Sequence, residues 1–138
     1  MPAAPSLLTL ERGFRFAPLR IPLDFHTVER YRSAVKAFSP AYEDGQLRLV
    51  PPLAAMAFAL REVLNQIQLP PGALHSSQEF EAHQALPEGT ILLCDAIISQ
   101  RTVRGGWLFL NIDFVANVES NGKPALSART SVMIPQEA

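Results

Sequence analysis

The segment Leu53–Leu60 constrains the fold more than any other, because its eight residues, Leu-Ala-Ala-Met-Ala-Phe-Ala-Leu, include no polar side chain. Pro51 and Pro52 precede it, and proline suits the first turn of a helix because its missing N–H has no partner there. The pattern predicts a helix that becomes polar only from Arg61 and stops before Pro70. A helix that is apolar on every side must be surrounded by protein.

Most of the chain after this helix has the patterns of β-strands. Residues 107–118 and 125–134 alternate between apolar and polar side chains, which is the period of a strand with one buried face. Residues 90–103 are apolar on both faces, as in a central strand that is covered on both sides. We therefore expect an antiparallel sheet of about four strands.

Shorter segments supply the connections. Gly105-Gly106 and Asn121-Gly122 stand where tight hairpin turns are expected. Residues 12–23 could form a short strand, which its prolines confine to a sheet edge or to irregular structure because they remove backbone donors. Residues 27–38 show apolar side chains at helical spacing and predict a first, amphipathic helix.

An all-apolar helix cannot lie on a flat sheet, because its far side would stay in water. The sheet must curl around the helix, which predicts an α+β hotdog fold: a curved antiparallel sheet wrapped around a central apolar helix. An α+β sandwich with a flat sheet is the alternative. The chain has 138 residues and no linker long enough to divide it, so we expect a single domain over residues 1–138.

Composition excludes several classes of function. The net charge is −1 and the 12 basic residues are scattered, so nucleic acid and membrane surfaces are not expected partners. The single cysteine, Cys94, lies in an apolar run and forms no internal disulfide. Residues 1–10 lack the basic start of a secretory signal, and no apolar run is long enough to span a bilayer. We expect a soluble, cytoplasmic protein.

Several segments of the sequence resemble the MaoC-like acyl-thioester dehydratases, above all the non-catalytic N-terminal halves of double-hotdog members. The matching segments cover roughly residues 19–134: Tyr31-Arg32-Ser33-Ala34-Val35, Ser39-Pro40-Ala41-Tyr42-Glu43-Asp44, Val50-Pro51-Pro52-Leu53, Leu74-His75-Ser76-Ser77-Gln78-Glu79-Phe80-Glu81 and Leu86-Pro87-Glu88-Gly89-Thr90. The resemblance implies the hotdog fold, and acyl-CoA or acyl-carrier-protein thioesters as ligands.

Catalytic members of that family carry Gly-Asp-x-Asn-Pro-(Leu/Ile/Val)-His, whose Asp and His activate water for addition to an enoyl thioester. Alignment on Pro40 places the Asp position at Ala37 and the His position at Tyr42. Alanine has no proton to transfer, and a tyrosine titrates near 10. A shifted register could recruit Glu43 or Asp44 as the carboxylate but would supply no histidine. The resemblance therefore implies a chain without catalytic residues of its own, and leaves open whether it is an enzyme.

The resemblance also indicates which residues would line an acyl-thioester pocket. In that family the acyl chain runs close to the central helix, with the thioester near the loop before it. The candidates in this chain are Tyr42, Pro52, Met56, Ala57 and His75. The alanines of the helix either leave room for an alkyl chain or simply allow the sheet to pack closely against it.

A set of polar residues follows the central helix in the predicted strand over residues 75–83. His75, Ser77, Glu79, Glu81 and His83 would share one face of a strand, yet that geometry separates the two histidines by roughly 26 Å. This face is expected to be solvated or to contact a partner, so we expect no metal and no cofactor.

Two isolated carboxylates remain. Glu62, at the end of the central helix, is the carboxylate that a thioesterase would need, but it is expected to be solvated. Asp113 is expected to pair across strands with Arg129.

Three hypotheses follow. The first is a non-catalytic hotdog that binds acyl-CoA or acyl-carrier-protein thioesters or completes the site of a catalytic partner. The second is an active hydratase with rearranged groups, or a thioesterase. The third is an assembly module without a ligand. In each case an uncovered helix side and an open edge strand predict a homodimer, or a heterodimer with a catalytic hotdog, joined edge to edge.

Overall fold

The computed structural model describes residues 4–24, 26, 29, 43–44 and 47–136. A 3-10 turn covers Leu7–Thr9 and a helix, α1, covers Pro52–Leu64. The strands of the described residues are β1 Leu19–Pro22, β2 Glu43–Asp44, β3 Leu47–Arg48, β4 Leu74–Ala82, β5 Ile91–Arg104, β6 Trp107–Val118 and β7 Pro124–Pro135. The helix predicted over residues 27–38 lies outside the described residues apart from Glu29.

Five strands form one antiparallel sheet in the order β1-β5-β6-β7-β4, and β2 and β3 form a separate pair. Gly105 and Gly106 join β5 to β6 with φ angles of 60° and 80°, which a two-residue hairpin turn requires and which glycine adopts at no steric cost. Gly122, with a φ of 69°, lies in the longer turn between β6 and β7. The tight turn predicted at Gly105-Gly106 and the strands over 107–118 and 125–134 are confirmed. The tight turn predicted at Asn121-Gly122 is wrong, because five residues separate Val118 from Pro124.

The core lies between the concave face of this sheet and α1. Alternate residues of β6 and β7 are buried, among them Leu108, Ile112 and Leu126. They belong to the same cluster as Ala54, Ala55 and Ala59 of the helix, which are fully buried. Small side chains bring the helix axis close to the sheet, and the sheet curves around it. The predicted α+β hotdog fold is confirmed.

The helix ends earlier than the stop before Pro70 that the sequence predicted. It ends at Leu64, and Gln68 uses its backbone to bind the N-terminal segment: its N–H donates to Pro5 O at 2.8 Å, and its carbonyl accepts from Leu7 N at 2.9 Å. One side of the helix was expected to be uncovered in the single chain, and Leu53 is 50% exposed. The sheet covers one side of the helix and leaves this part open.

β5 also departs from its prediction. Its concave residues, such as Leu92 and Ile98, are buried, but Leu93 on the opposite face is 40% exposed. The strand is therefore covered on one side only. The short strand expected within residues 12–23 is present as β1 and pairs with residues 91–94 of β5. β1 forms one edge of the sheet, so β5 is the strand next to that edge. A register shift between Ile98 and Gln100 marks a β-bulge in the same strand.

Candidate functional site

The positions that correspond to the family's Asp and His, Ala37 and Tyr42, lie outside the described residues. Glu43 and Asp44 are described as the backbone of β2, opposite Arg48 and Leu47 of β3. Val50 follows this pair, and its N–H donates to Leu86 O at 2.7 Å, which ties the start of α1 to the segment before β5.

Three of the pocket candidates lie on α1. Pro52 is exposed in the first turn, where its missing N–H leaves no helix bond unmade. Met56, one turn further, is buried at 6% exposure. Ala57 is half-buried, whereas the other three alanines of the helix are fully buried. Of the four alanines, only Ala57 therefore reaches the side of the helix that the sheet leaves open.

That open side is apolar. Leu53 is exposed, and Phe58, Leu60 and Leu64 are half-buried and pack against the edge of the core. Arg61 and Glu62 are both exposed at the end of the same helix. Leu53, Ala57 and Leu60 follow one another at helical spacing. The described chain thus presents an apolar strip along its central helix, which we call the open strip: Leu53, Ala57, Leu60 and Leu64.

His75 lies elsewhere, on β4, and the structure corrects the prediction made for its strand. A register shift between His75 and Ser77 places His75 opposite Val132 and Ser77 opposite Ser131. Ser76 is the extra residue of a β-bulge, so two serines oppose one residue of β7. The bulge turns His75 to the concave face, while Glu79 and its alternate neighbours point to the convex face. The five polar residues from His75 to His83 therefore do not share a face.

His75 is the exposed end of a hydrogen-bond network that continues through Gln78 to the buried Thr130. Gln78 Oε1 accepts from Thr130 Oγ1 at 2.6 Å and lies 3.2 Å from His75 Nε2. Gln78 Nε2 donates to the carbonyl oxygens of Glu79 and Arg129 at 3.2 and 3.1 Å, which fixes the orientation of the amide. Since Oε1 can only accept, His75 would have to donate from Nε2 in this contact.

The hydrogen bond between Thr130 and Gln78 was not predicted from the sequence. Thr130 is the buried polar side chain of the described core, at 1% exposure. A signal was present, because Thr130 is the one polar residue among the inward positions of 125–134. A buried hydroxyl needs a partner. The partner could not be found in advance, because Gln78 reaches it only with the register that the bulge sets.

The convex face of the sheet is polar. Arg129 Nε lies 2.8 Å from Asp113 Oδ1 and Arg129 Nη2 lies 3.0 Å from Oδ2, so the predicted cross-strand pair is confirmed. The hydrogen bond from Arg129 lowers the pKa of Asp113 from its ordinary value of 3.8. A groove of about 560 Å³ runs beside this pair, and Glu79 and Glu81 also line it.

A second recess on the convex face, of about 350 Å³, lies over a row of hydrogen-bonded side chains. Asn111 Nδ2 donates to Gln100 Oε1 at 3.1 Å, and Ser131 Oγ donates to Asn111 Oδ1 at 2.8 Å. Ser77 continues the row on β4. Neither this recess nor the groove borders the open strip, which is on the other side of the sheet.

Other sequence candidates have plain structural roles. Cys94 is buried, and desolvation raises the pKa of its thiol to about 12. Within the described part of the chain no three His, Cys, Asp or Glu side chains are grouped as metal ligands. None of the helical segments that the structure describes has the length and apolarity needed to cross a bilayer.

A family model described as "FAS1-like, dehydratase domain region" matches residues 11–124. No curated protein sequence matches the chain.

Solved structures show the same fold. The unliganded R-hydratase PhaJ1 of Pseudomonas aeruginosa has a TM-score of 0.74 and 14% identity, with 94% of this chain and 85% of that chain covered. The HadBC complex of Mycobacterium tuberculosis, a 3R-hydroxyacyl-ACP dehydratase, has a TM-score of 0.70 and 18% identity, with 93% and 100% covered. The ChsH1–ChsH2 complex of the same organism has a TM-score of 0.68 and 14% identity, with 90% and 98% covered. At such low identity these likenesses show the fold.

Proposed function

The chain belongs to the family of FAS1-like dehydratase domain regions, and on that premise we propose that it is a hotdog subunit of fatty-acid metabolism. It binds an acyl-CoA or acyl-carrier-protein thioester without catalysing by itself, and it acts beside a partner hotdog. The observation that carries the proposal is the open strip on the central helix. Two of the similar structures, by their names, are an R-hydratase and a 3R-hydroxyacyl-ACP dehydratase.

The open strip is suited to an alkyl chain. Leu53 at 50% exposure and the half-buried Ala57 and Leu60 form an apolar surface on an element that is rigidly packed on its other side. Each methylene removed from water there contributes about 0.8 kcal/mol. Affinity for a thioester therefore rises with chain length until the strip is covered. Tyr42 and Pro52, before and at the start of α1, are proposed to lie near the thioester end.

The proposal that the chain is not catalytic rests on Ala37 and Tyr42. Neither side chain supplies the acid–base pair that hydration requires near neutral pH. Glu62, the carboxylate that a thioesterase mechanism would need, is exposed in the last turn of α1. His75 is held by an amide oxygen, and its ring could contribute a hydrogen bond to a thioester pocket but has no carboxylate as a hydrogen-bond partner in the described chain.

Calorimetry with acyl-CoA compounds of increasing chain length tests the ligand. We expect a stepwise gain in affinity that Ala57→Phe abolishes, because the larger side chain fills the strip. Ala85→Phe is the matched control, since Ala85 is exposed in the segment before β5. Weak binding that does not change with chain length would show instead that the alanines serve only packing and that the chain is an assembly module.

A spectrophotometric assay with trans-2-enoyl thioesters tests the absence of catalysis. The purified chain is expected to hydrate them at a negligible rate, and the double variant Ala37→Asp/Tyr42→His is the attempt to restore the pair. Robust hydration by the unmodified chain would contradict the proposal and favour the alternative of a hydratase with rearranged groups. Hydrolysis of saturated acyl-CoA that Glu62→Gln abolishes would favour a thioesterase.

Pairing with another hotdog, either a second copy or a catalytic relative, is part of the same proposal. Two of the similar structures are, by their names, complexes: HadBC and ChsH1–ChsH2. Among the described strands β4 has β7 on one side only, so we propose that the backbone groups on its other edge are available to another strand. Sedimentation at micromolar concentration is expected to show a dimer, and a clean monomer would contradict this part.

A further inference from the structure

The recess of about 350 Å³ on the convex face, which we call the polar recess, has a β-bulge on each side. The pairing of β4 with β7 shifts between His75 and Ser77, and the pairing of β5 with β6 shifts between Ile98 and Gln100. Bulges redirect side chains and are common beside active sites. We propose that the polar recess binds an oxyanion: the carboxylate or phosphate group of a small organic molecule that also has an apolar part. The site is separate from the open strip and does not depend on thioester binding.

The extra residue of each bulge is a serine whose hydroxyl is bonded to the neighbouring strand. Ser76 Oγ donates to a carbonyl oxygen of β7 at 3.1 Å, and Ser99 Oγ donates to a carbonyl oxygen of β6 at 3.4 Å. These bonds hold both bulges against the sheet. The next residues, Ser77 and Gln100, line the recess from its two sides. Two bulges that are fixed in the same way therefore direct polar side chains into one space.

In the row of side chains beneath the recess, the amide oxygens already accept hydrogen bonds. Asn111 Oδ1 accepts from Ser131 Oγ at 2.8 Å, and Gln100 Oε1 accepts from Asn111 Nδ2 at 3.1 Å. Each amide nitrogen carries two N–H groups. Asn111 uses one of them within the row, and Gln100 directs one toward Thr102 Oγ1 at 3.5 Å. The floor of the recess therefore offers a ligand N–H donors rather than acceptors.

The positive charge of the recess belongs to Arg104. Its guanidinium carbon lies 5.9 Å from the centre of the Phe109 ring, within the distance of a cation–π contact. None of the described residues that line the recess is acidic, and no described carboxylate forms an ion pair with Arg104. By contrast, Arg129 in the neighbouring groove is paired with Asp113. An arginine without a carboxylate partner is suited to a carboxylate or phosphate of a ligand, because its planar N–H groups match both.

The size of the recess and its aromatic wall define the rest of the ligand. Binding sites for small molecules have volumes of roughly 300–1,000 Å³, so a recess of about 350 Å³ holds a small ligand. The Phe109 ring lines the recess and supplies an apolar surface beside Arg104. A neutral sugar fits less well, because its many hydroxyl hydrogens need acceptors and the amide oxygens of Asn111 and Gln100 are already engaged.

Nuclear magnetic resonance titration of the full chain tests the class of ligand. The probes are phenylacetate and phenyl phosphate, which carry the two oxyanions on an aromatic group, and phenylacetamide, the neutral counterpart of phenylacetate. We expect both anions to shift the backbone N–H resonances of Ser77, Gln100 and Arg104. Both should bind at least about tenfold more tightly than phenylacetamide, because hydrogen bonds between charged groups are the stronger ones. The anion that binds more tightly identifies which of the two groups the site prefers.

Substitutions locate the charge that carries the binding. Arg104→Gln keeps a polar side chain but removes the cation, so it should weaken both anions at least about tenfold and leave phenylacetamide unchanged. Arg61→Gln is the matched control, because Arg61 is exposed on α1, on the other side of the sheet. Ser77→Ala should weaken the anions by a smaller factor, about threefold, since it removes a neutral donor. Ser127→Ala, in the neighbouring groove, should leave them unchanged.

Three results would overturn the proposal. Phenylacetamide that binds as tightly as phenylacetate would show that the recess does not select a charge, as would anion binding that survives Arg104→Gln. Shifts on α1 instead of around the recess would place the anion elsewhere. Saturable binding of methyl glucoside at Ser77 and Gln100, without binding of the anions, would show a carbohydrate site instead.

Discussion

The two edges of the sheet differ in how far each is built into the core. β1 is four residues long and ends at Pro22, and its Ile21 is 5% exposed. β4 is nine residues long, and its side chains are exposed apart from the half-buried Gln78. A short edge with prolines offers few donors to another strand, whereas a long one offers many. The chain therefore has one closed edge and one open edge.

Features of β4 itself limit association at the open edge. A bulge and two glutamates, features that commonly limit edge-to-edge association, are both present on β4. They limit the registers in which another strand can pair with that edge. The comparison teaches that the same devices that prevent pairing on one edge can select a partner on another.

The largest expected effect is on stability, and it compares a buried residue of β1 with an exposed residue of β4. Ile21→Ala should lower the free energy of unfolding by about 2–5 kcal/mol, because it leaves a cavity beside β5. Leu74→Ala on β4 removes a similar side chain that is 52% exposed, so the loss should stay below about 1 kcal/mol. Urea denaturation at low protein concentration measures both. Equal losses would mean that β4 is as much part of the core as β1.

Proline substitutions on β4 distinguish its two sides. The N–H of His83 donates to Ala125 O, so the alternate residue Glu81 also addresses β7 and Phe80 directs its N–H to the free edge. Phe80→Pro removes that N–H, so the fold should persist while the dimer is lost. Glu81→Pro removes an N–H that binds β7 and should cost at least about 1 kcal/mol of stability. Sedimentation and thermal unfolding of both variants provide the measurements. A dimer that survives Phe80→Pro would show that association uses another surface.

Substitutions in the hydrogen-bond network of His75, Gln78 and Thr130 are expected to have an intermediate effect on stability. Gln78→Ala removes the acceptor of Thr130 Oγ1, and a buried hydroxyl without a partner costs about 1–3 kcal/mol. Adding Thr130→Val should recover most of that loss, since no polar group is then left unpaired. A double-mutant cycle measured by urea denaturation checks this. Additive losses would argue that the two side chains do not depend on each other.

The smallest effect concerns the surface ion pair next to the open edge. The hydrogen bond from Arg129 lowers the pKa of Asp113, so the pair stabilises the fold above pH 3.8 and this contribution disappears as the pH falls through the lowered pKa. Asp113→Asn should therefore remove a small part of the acid sensitivity and less stability than the variants above. Unfolding curves between pH 2 and 7 measure it, with high salt as a control for screening.

The sequence alone determined the elements that depend on local pattern. Period-two alternation predicted β6 and β7, paired glycines predicted the β5–β6 turn, and the apolar segment 53–60 predicted a central helix under a curved sheet. These features follow from which side chains leave water and which backbone angles glycine permits. The cross-strand pair of Asp113 with Arg129 was also predictable, because both side chains stand on the polar face of adjacent regular strands.

Only the tertiary structure decided features that depend on one extra residue or on a distant partner. The bulge at Ser76 turned His75 to the concave face, and no local pattern marks where a strand gains such a residue. The N-terminal segment binds the backbone of Gln68, four residues beyond the end of α1 at Leu64, and no local pattern predicted that contact. The exposure of Leu53 in an otherwise apolar segment was also decided by the tertiary structure, because exposure depends on which elements pack against the helix.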